Sequence, residues 1–188
     1  RLGMTIVYVT HDQIEAMTLA SRIAVMDNGH VRQFGTPEEI YENPVDLFVA
    51  GFMGSPSMNI VKGKVVSENG YAIAVTDEEG TIRFPLGPEQ AEKVKGKEGE
   101  EIHLGLRPET ITHVGAHGAP QPDLFVFERA VDVVEPTGPD TMLVFTLGGM
   151  EAIARVRPEE RVKPGETFRF EVNMGKAKLF DGRTGLRL

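Results

Sequence analysis

The sequence predicts a mainly β protein that carries a short α/β segment at its amino end. Residues 4–53 combine an apolar run with helical patterns and polar helix starts. From Met58 onward, short runs of alternating apolar and polar residues lie between turn residues, a pattern typical of a small barrel or sandwich. A stretch rich in glycine, serine and proline separates the two parts. We therefore predict two domains, over residues 1–57 and 58–188.

Composition excludes several classes of function. The chain has 188 residues, no cysteine and a formal net charge of −8 at pH 7. A negative chain lacks the basic face that nucleic-acid binding requires, and it is not attracted to anionic lipid. Because no apolar run approaches the roughly 18 residues that span a bilayer, we expect no direct membrane insertion. The missing cysteines exclude disulfides and thiolate sites, and the histidine spacing predicts no metal site.

The amino-terminal residues are predicted to form a strand that ends in a polar turn. Residues 4–9 are a mostly apolar run, as in a strand covered on both faces. Thr10, His11 and Asp12 follow it, at the strand end where open α/β sheets place their ligands. His11 is the candidate functional residue. Its neutral imidazole can donate one hydrogen bond and accept another, and so contact a phosphate and a water together.

Helix starts and a hairpin signal define the rest of the amino-terminal part. Asp12 and Glu15 predict a helix start with reciprocal capping, and Thr36 followed by Pro37 and two glutamates predicts a second start. Asn28-Gly29 predicts a hairpin turn. The predicted elements are helices at about 13–21, at 37–43 and after Asp46, and strands at 23–27 and 30–34.

The remaining part is predicted to be almost entirely strands. The predicted strands are 60–66, 71–75, 81–84, 102–106, 111–114, 124–134, 142–147, 151–156, 168–172 and 177–180, with one helix at 88–94. Between them, Arg107-Pro108-Glu109 is interpreted as a strand end with a proline stop.

Two stretches of this part resemble each other at a spacing of about 66 residues. Residues 99–106 (GEEIHLGL) align with residues 165–172 (GETFRFEV), and residues 111–113 then match 177–179. This indicates an internal duplication, in which each copy forms half of a compound barrel of the oligonucleotide/oligosaccharide-binding (OB) type. The alternative is chance, because any two alternating strands align to some extent.

The amino-terminal part resembles the switch-histidine region of ATP-binding-cassette (ABC) ATPases. The residues that carry the resemblance are Tyr8–Ala20, Ile23–Met26, Gly29, Val31, Gly35–Tyr41, Asn43-Pro44 and Phe48–Asn59. They are similar in particular to the ATPases of carbohydrate and glycerol-3-phosphate importers of the maltose-importer type. Leu104–Glu109 resembles the regulatory domain of the same proteins. The resemblance implies that residues 58–188 form a duplicated OB-like regulatory barrel of the TOBE or MOP type.

The resemblance also implies roles for individual residues. His11 would contact the γ-phosphate and orient the hydrolytic water, and Asp12 would lie beside it near a dimer interface. ATP and Mg²⁺ would be the cofactors of the full-length protein. A contact between two copies is implied for four residues of one turn, Glu135, Thr137, Gly138 and Asp140.

Other parts of an ATPase site are missing from the sequence. It contains no Gly-x-x-x-x-Gly-Lys-Ser/Thr loop, no Asp-Glu pair after an apolar strand and no Leu-Ser-Gly-Gly-Gln stretch. Because phosphoryl transfer depends on such parts, we expect the chain alone neither to bind ATP tightly nor to hydrolyse it, with no cofactor of its own. The chain opens on Arg1 rather than on methionine, and we expect a carboxy-terminal piece of a longer enzyme. Residues 4–34 would then be disordered, repacked on the barrel or exchanged with another chain.

The favoured function is the regulatory and dimerisation part of an importer ATPase for a sugar or a glycerol-3-phosphate-like solute. The implied partners are a second copy, transmembrane permease subunits and a solute-binding protein. The implied location is peripheral, on the cytoplasmic face of the cell membrane. One alternative is a stand-alone barrel that binds an oxyanion such as molybdate, or another small ligand. A third hypothesis is a module that only dimerises.

Overall fold

The computed structural model describes residues 4–188, which form two five-stranded antiparallel sheets preceded by short helices and a hairpin. The helices are α1 (Gln13–Leu19), α2 (Pro37–Glu42), α3 (Leu47–Phe52) and α4 (Pro88–Val94). The strands are β1 (Ile23–Asp27), β2 (His30–Gly35), β3 (Asn59–Ser67), β4 (Tyr71–Asp77), β5 (Gly80–Pro85), β6 (Glu101–Leu106), β7 (Ile111–His113), β8 (Leu124–Pro136), β9 (Thr141–Leu147), β10 (Met150–Val156), β11 (Thr167–Asn173) and β12 (Lys178–Asp181). Short 3-10 turns precede β7 and β12. From residue 23 onward, the predicted strands all form.

The strand predicted over residues 4–9 is wrong. These residues have no regular secondary structure, and Val7 and Val9 are 89% and 85% exposed. A strand needs a neighbour to satisfy its backbone groups, and β1 and β2, the strands that follow, pair with each other instead. Within residues 4–188, therefore, no other residues bury the apolar side chains of this segment.

Two helix starts differ in how their caps are built. Asp12 accepts hydrogen bonds from the backbone N–H groups of Ile14 and Glu15, at 2.8 and 3.1 Å. The reciprocal bond predicted for Glu15 is wrong, because its carboxylate accepts from the hydroxyl of Thr10 at 3.0 Å. At α2 the predicted helix start is confirmed, and it carries a reciprocal cap, with Thr36 and Glu39 each bonding the other's backbone N–H. Helix α1 also ends two residues earlier than predicted.

The hairpin packs on α2 and α3 of the same chain. Val25 of β1, Ile40 of α2, and Val49 and Met53 at α3 form a small buried cluster. Arg32 of β2 also forms a 2.8 Å ion pair with Asp46, the residue that caps α3. Residues 23–53 therefore pack around a small core of their own. The three possibilities expected for residues 4–34, which are disorder, repacking on the barrel and exchange with another chain, stay predictions.

The ten barrel strands form two sheets that are copies of each other. One sheet has the order β12-β6-β3-β4-β5, and the other has the order β7-β11-β8-β9-β10. Strands β3 to β6 of the first repeat correspond to β8 to β11 of the second. The last strand of each repeat crosses over, so that β7 joins the second sheet and β12 joins the first.

Backbone hydrogen bonds confirm the spacing of 66 residues. Val65 accepts from the N–H of Gly99 at 2.8 Å and donates to the carbonyl of Glu100 at 3.1 Å. Val131, 66 positions later, accepts from Gly165 at 2.7 Å and donates to Glu166 at 3.0 Å. The same bonds at the same spacing mean that the resemblance between the two stretches reflects a duplicated structure, not chance.

Phenylalanines from both sheets fill the barrel core. The rings of Phe145 and Phe170 are 4.4 Å apart between centroids, and those of Phe84 and Phe127 are 5.4 Å apart. All four side chains are buried. Burial of one such side chain stabilises the folded state by about 1.5–3 kcal/mol, so the cluster contributes to holding the two sheets together.

Candidate functional site at the joint with the barrel

His11 lies on the surface just before α1, between two neighbours that are tied to the start of that helix. The hydroxyl of Thr10 accepts a 2.9 Å hydrogen bond from the N–H of Asp12 and donates to Glu15. Asp12, also exposed, caps α1 as described above. The His11 side chain is therefore accessible to solvent, and its backbone is held in place by the hydrogen bonds that Thr10 and Asp12 make to the first turn of α1.

Gln13, the first residue of α1, connects this helix to the linker before the barrel. Its amide nitrogen donates to the carbonyl of Phe52, and its amide oxygen accepts from the N–H of Gly54 at 2.8 Å. One side chain thus satisfies two backbone groups at the end of α3. These bonds span 39 and 41 residues of sequence and fix where α1 begins relative to the linker.

Arg107 holds the same linker from the barrel side. It follows β6 and is only 5% exposed. Its guanidinium donates to the carbonyl of Met53 and, at 2.8 Å, to the carbonyl of Tyr41. The guanidinium carbon also lies 3.8 Å from the centroid of the Tyr41 ring, a cation–π contact. A planar fork with several donors suits this combined stacking and bonding, which lysine could not reproduce.

Gln13 and Arg107, which both bind the backbone of residues 52–54, form what we call the joint between the amino-terminal segment and the barrel. Tyr41 and Glu109 complete it. The Tyr41 hydroxyl donates to the Glu109 carboxylate at 2.7 Å. Burial raises the pKa of Tyr41 to about 12, and the hydrogen bond to Glu109 acts in the same direction. Burial lowers the pKa of Arg107, whereas the nearby Tyr41 and Glu109 act against that shift. The phenol therefore stays neutral and the guanidinium stays charged across the physiological range.

Interpreting Arg107-Pro108-Glu109 as a strand end was incomplete. Strand β6 does end at Leu106, and a 3-10 turn begins at Pro108, but Arg107 and Glu109 also anchor the amino-terminal segment. The duplication contains a signal for this role. At the equivalent crossover, 66 residues later, stands Asn173, whose side chain caps its own turn by accepting from Gly175 at 3.0 Å. The turn itself therefore does not require an arginine.

The turn predicted to contact a second copy lies elsewhere. Glu135, Thr137, Gly138 and Asp140 lie at the end of β8 and in the turn to β9, whereas His11 and Asp12 adjoin α1. No hydrogen bond or ion pair among the described residues joins the two groups. Within the turn, Thr137 donates through its N–H and its hydroxyl to the carbonyl of Asp140, at 2.8 and 2.9 Å. Arg155 of β10 binds the Asp140 carboxylate. The turn is thus a shaped, mostly exposed projection of the second sheet.

Among residues 4–188, no group of three or more histidine, aspartate or glutamate side chains could hold a metal ion. His11 can offer a hydrogen bond to a phosphate, but the described part of the chain provides no carboxylate cluster for Mg²⁺ beside it. In the same range, no helix is long and apolar enough to cross a membrane.

Comparisons with known proteins cover both parts of the chain. The model of the MalK OB-fold domain matches residues 54–111. An uncharacterised ABC transporter ATP-binding protein, y4oS of Sinorhizobium fredii, is 44% identical over 188 residues, which is 100% of this chain and 46% of that protein. The trehalose/maltose import ATP-binding protein MalK of Thermococcus litoralis is 37% identical over 98% of this chain and 49% of its own length.

The sn-glycerol-3-phosphate import ATP-binding protein UgpC of Escherichia coli is also 37% identical, over 100% of this chain and 49% of its own length. The chain thus spans about half the length of these relatives. Among solved structures, the cytoplasmic molybdate-binding protein ModG with molybdate bound is 17% identical, with a TM-score of 0.46. The match covers 64% of this chain and 94% of that one.

Proposed function

Since the chain belongs to the ATP-binding proteins of ABC importers for sugars and glycerol-3-phosphate, we propose that it serves such an ATPase as its regulatory and dimerisation part. Residues 1–57 would be the end of the nucleotide-binding domain with its linker, and residues 58–188 the regulatory barrel. The observation that carries the proposal is the joint. Gln13 and Arg107 hold one linker from both sides, so that the helix after His11 and the barrel form one unit.

His11 is the proposed catalytic residue of the full-length enzyme. Its exposed imidazole, just before α1, would donate a hydrogen bond to the γ-phosphate of ATP and accept one from the hydrolytic water, and Asp12 would lie near the interface beside it. ATP and Mg²⁺ are the proposed cofactors of the full-length protein. Residues that hold the metal would come from the other part of that protein, because the described residues 4–188 include no group of carboxylates or histidines that could bind it. The residues that hold the phosphates would come from there as well.

Two kinds of partner follow from this function. A second copy would pack against the turn that contains Glu135, Thr137, Gly138 and Asp140, which projects from the second sheet. Permease subunits and a solute-binding protein would complete the importer and select the solute. The assembled protein would lie peripherally on the cytoplasmic face of the cell membrane.

Turnover by the full-length protein, assembled with its permease, tests the catalytic proposal. His11→Ala should lower kcat about 100-fold or more, the scale of a lost proton-transfer or orienting group. His30→Ala, at an exposed position in the β1–β2 hairpin, is the matched control and should keep wild-type turnover. Turnover by the 188-residue chain alone that depends on His11 would refute the proposal that this part lacks a complete site.

Light scattering over a range of concentrations tests the dimer. The 188-residue chain should approach twice its monomer mass as concentration rises, and Thr137→Arg should return it to the monomer. Thr76→Arg, on an exposed part of β4, should dimerise like the wild type. A wild-type monomer at every concentration would exclude this contact. The stand-alone oxyanion barrel stays a prediction, which calorimetric titration with molybdate tests directly.

A further inference from the structure

Three consecutive residues at the end of α3 and the start of the linker are bound by side chains from two different elements. Gln13 binds the carbonyl of Phe52 and the N–H of Gly54, while Arg107 binds the carbonyl of Met53 between them. One set of bonds comes from the helix that follows His11, and the other comes from the barrel. A displacement of Arg107 therefore moves the backbone on which Gln13 depends.

The path from Gln13 to His11 is short. Gln13 opens α1, and Asp12 caps the same helix through the N–H groups of Ile14 and Glu15. Thr10, on the other side of His11, is bonded to both Asp12 and Glu15. The backbone at His11 is thus tied on both sides to the first turn of α1, and it follows α1 when that turn moves.

The backbone is closely packed at Gly54, where the linker starts. Gly54 has a φ of +113°, and a Cβ added there would meet the Arg107 guanidinium at 2.9 Å and the carbonyl of Pro56 at 3.0 Å. The Tyr41 ring lies beside them, 3.5 Å from the same Cβ position. Because the three groups pack closely around one glycine, they transmit a displacement instead of absorbing it.

Comparison of the two repeats shows that Arg107 is not needed for the crossover between sheets. Asn173 occupies the equivalent place and satisfies its own turn locally. Arg107 instead directs its donors out of its repeat, to carbonyls 54 and 66 residues away. The first repeat therefore differs from the second in the side chain that its crossover directs at the amino-terminal segment.

We propose that Gln13 is a positioning residue for ATP hydrolysis, which places His11 according to where Arg107 holds the linker. Movement of the barrel within the assembled importer would be transmitted through Met53 and Gly54 to Gln13 and then to the start of α1. The inference rests on the proposed function, because it assigns regulation to the same His11 site. It adds a route by which the barrel controls that site.

Hydrogen exchange on the 188-residue chain tests the connection without any nucleotide. Gln13→Ala should speed exchange of the Gly54 amide about tenfold or more, because its acceptor is lost. Arg107→Lys, which keeps the charge but loses the planar fork, should speed exchange across α1, although Arg107 does not touch that helix. Arg83→Lys, at an exposed ion pair with Glu68, is the matched control and should leave α1 unchanged.

A double variant separates one connected path from two local effects. If Gln13 connects Arg107 to α1, Arg107→Lys should add nothing to the exchange of α1 once Gln13→Ala is present. Wild-type exchange of α1 in Arg107→Lys, or independent addition of the two effects in the double variant, would overturn the inference.

Kinetics of the full-length importer test the consequence for catalysis. Gln13→Ala should lower kcat about tenfold while leaving KM for ATP within twofold, because positioning of His11 is lost and nucleotide binding is not. Gln13→Glu, which keeps an acceptor for Gly54, should recover part of kcat. A wild-type kcat in Gln13→Ala, with His11→Ala inactive, would refute this inference alone. Full activity in His11→Ala would instead refute the proposed function.

Discussion

Asp77 and Arg129 form a buried ion pair that joins the two repeats of the barrel. Their carboxylate oxygen and guanidinium nitrogen are 3.0 Å apart, and the side chains are 3% and 5% exposed. Asp77 ends β4 in the first sheet, and Arg129 lies in β8 of the second. The second oxygen of Asp77 also accepts from the N–H of Gly148 at 2.8 Å, in the turn between β9 and β10. Asp77 therefore connects β4 of the first repeat to β8 and to the β9–β10 turn of the second.

Removing one partner of this pair should be costly. Asp77→Ala leaves the Arg129 guanidinium buried without a counter-charge, and we expect the free energy of unfolding to fall by about 3–5 kcal/mol. Urea denaturation followed by circular dichroism measures the change. Glu68→Ala, which removes one side of the exposed Arg83–Glu68 pair, should cost less than about 1 kcal/mol. A similar small loss for both variants would contradict the structural role of the buried pair.

Replacing Gly54 should be much less tolerated than replacing Gly51. Gly54→Ala forces a φ that L-residues rarely adopt and places a Cβ 2.9 Å from the Arg107 guanidinium, so we expect a loss of about 1–3 kcal/mol. Gly51→Ala lies in α3, with no atom within 4 Å of the added Cβ. Alanine favours the helix there, and stability should rise by about 0.5–1 kcal/mol. Thermal melts of the two variants make the comparison, and equal effects would exclude the close packing at the linker.

Alkaline pH should loosen the joint through Tyr41. An ordinary tyrosine ionises near pH 10, whereas burial and the bond to Glu109 raise the pKa of Tyr41 to about 12. Between these values the folded chain keeps a proton that the unfolded chain releases, so the stability from this group falls as pH rises from about 10 to about 12. The ultraviolet absorbance of tyrosinate should show a step near pH 12. Tyr41→Phe should lack that step, and its persistence in the variant would assign it to another tyrosine.

Local patterns predicted most of the strands because each strand of the barrel alternates between core and solvent. Val61 and Val65 of β3, or Ile82 and Phe84 of β5, are buried at every second or fourth position, as the sequence suggests. The duplication is also visible in the sequence, since the similar stretches that begin at Gly99 and Gly165 lead into the equivalent strands β6 and β11. These features depend on residues close together in the sequence, which is why they could be predicted.

Features that depend on distant partners could not be predicted in this way. The exchange of β7 and β12 between sheets leaves no local trace, because a strand's alternation does not say which edge it joins. The same holds for Arg107, whose acceptors are Met53 and Tyr41, far away in sequence. Residues 4–9 fail in the opposite sense. Their apolar pattern is typical of a buried strand, but the described residues provide no partner strand for it. The pattern is therefore present although no strand forms.

Asn59 should be the most sensitive asparagine of the barrel. Its side-chain amide donates to the carbonyl of Ile153 at 2.9 Å and accepts from the N–H of the same residue at 2.8 Å. Asn59 starts β3 in the first sheet, while Ile153 lies in β10 at the edge of the second, so one buried side chain takes the place of a neighbouring strand. Its two hydrogen bonds satisfy the N–H and the carbonyl of Ile153, which water would otherwise bind at the edge of the sheet.

Asn59→Asp keeps the acceptor for the N–H of Ile153 but loses the donor, and it brings a carboxylate towards a buried carbonyl. We expect the free energy of unfolding to fall by about 1–3 kcal/mol, measured by urea denaturation at pH 7. Asn69→Asp in the exposed β3–β4 turn should stay within about 0.5 kcal/mol, because aspartate suits that turn as well. Since protonation of the new carboxyl restores a donor, the gap between Asn59→Asp and the wild type should narrow as pH falls. A gap that does not change with pH would mean that the lost stability does not come from the missing donor.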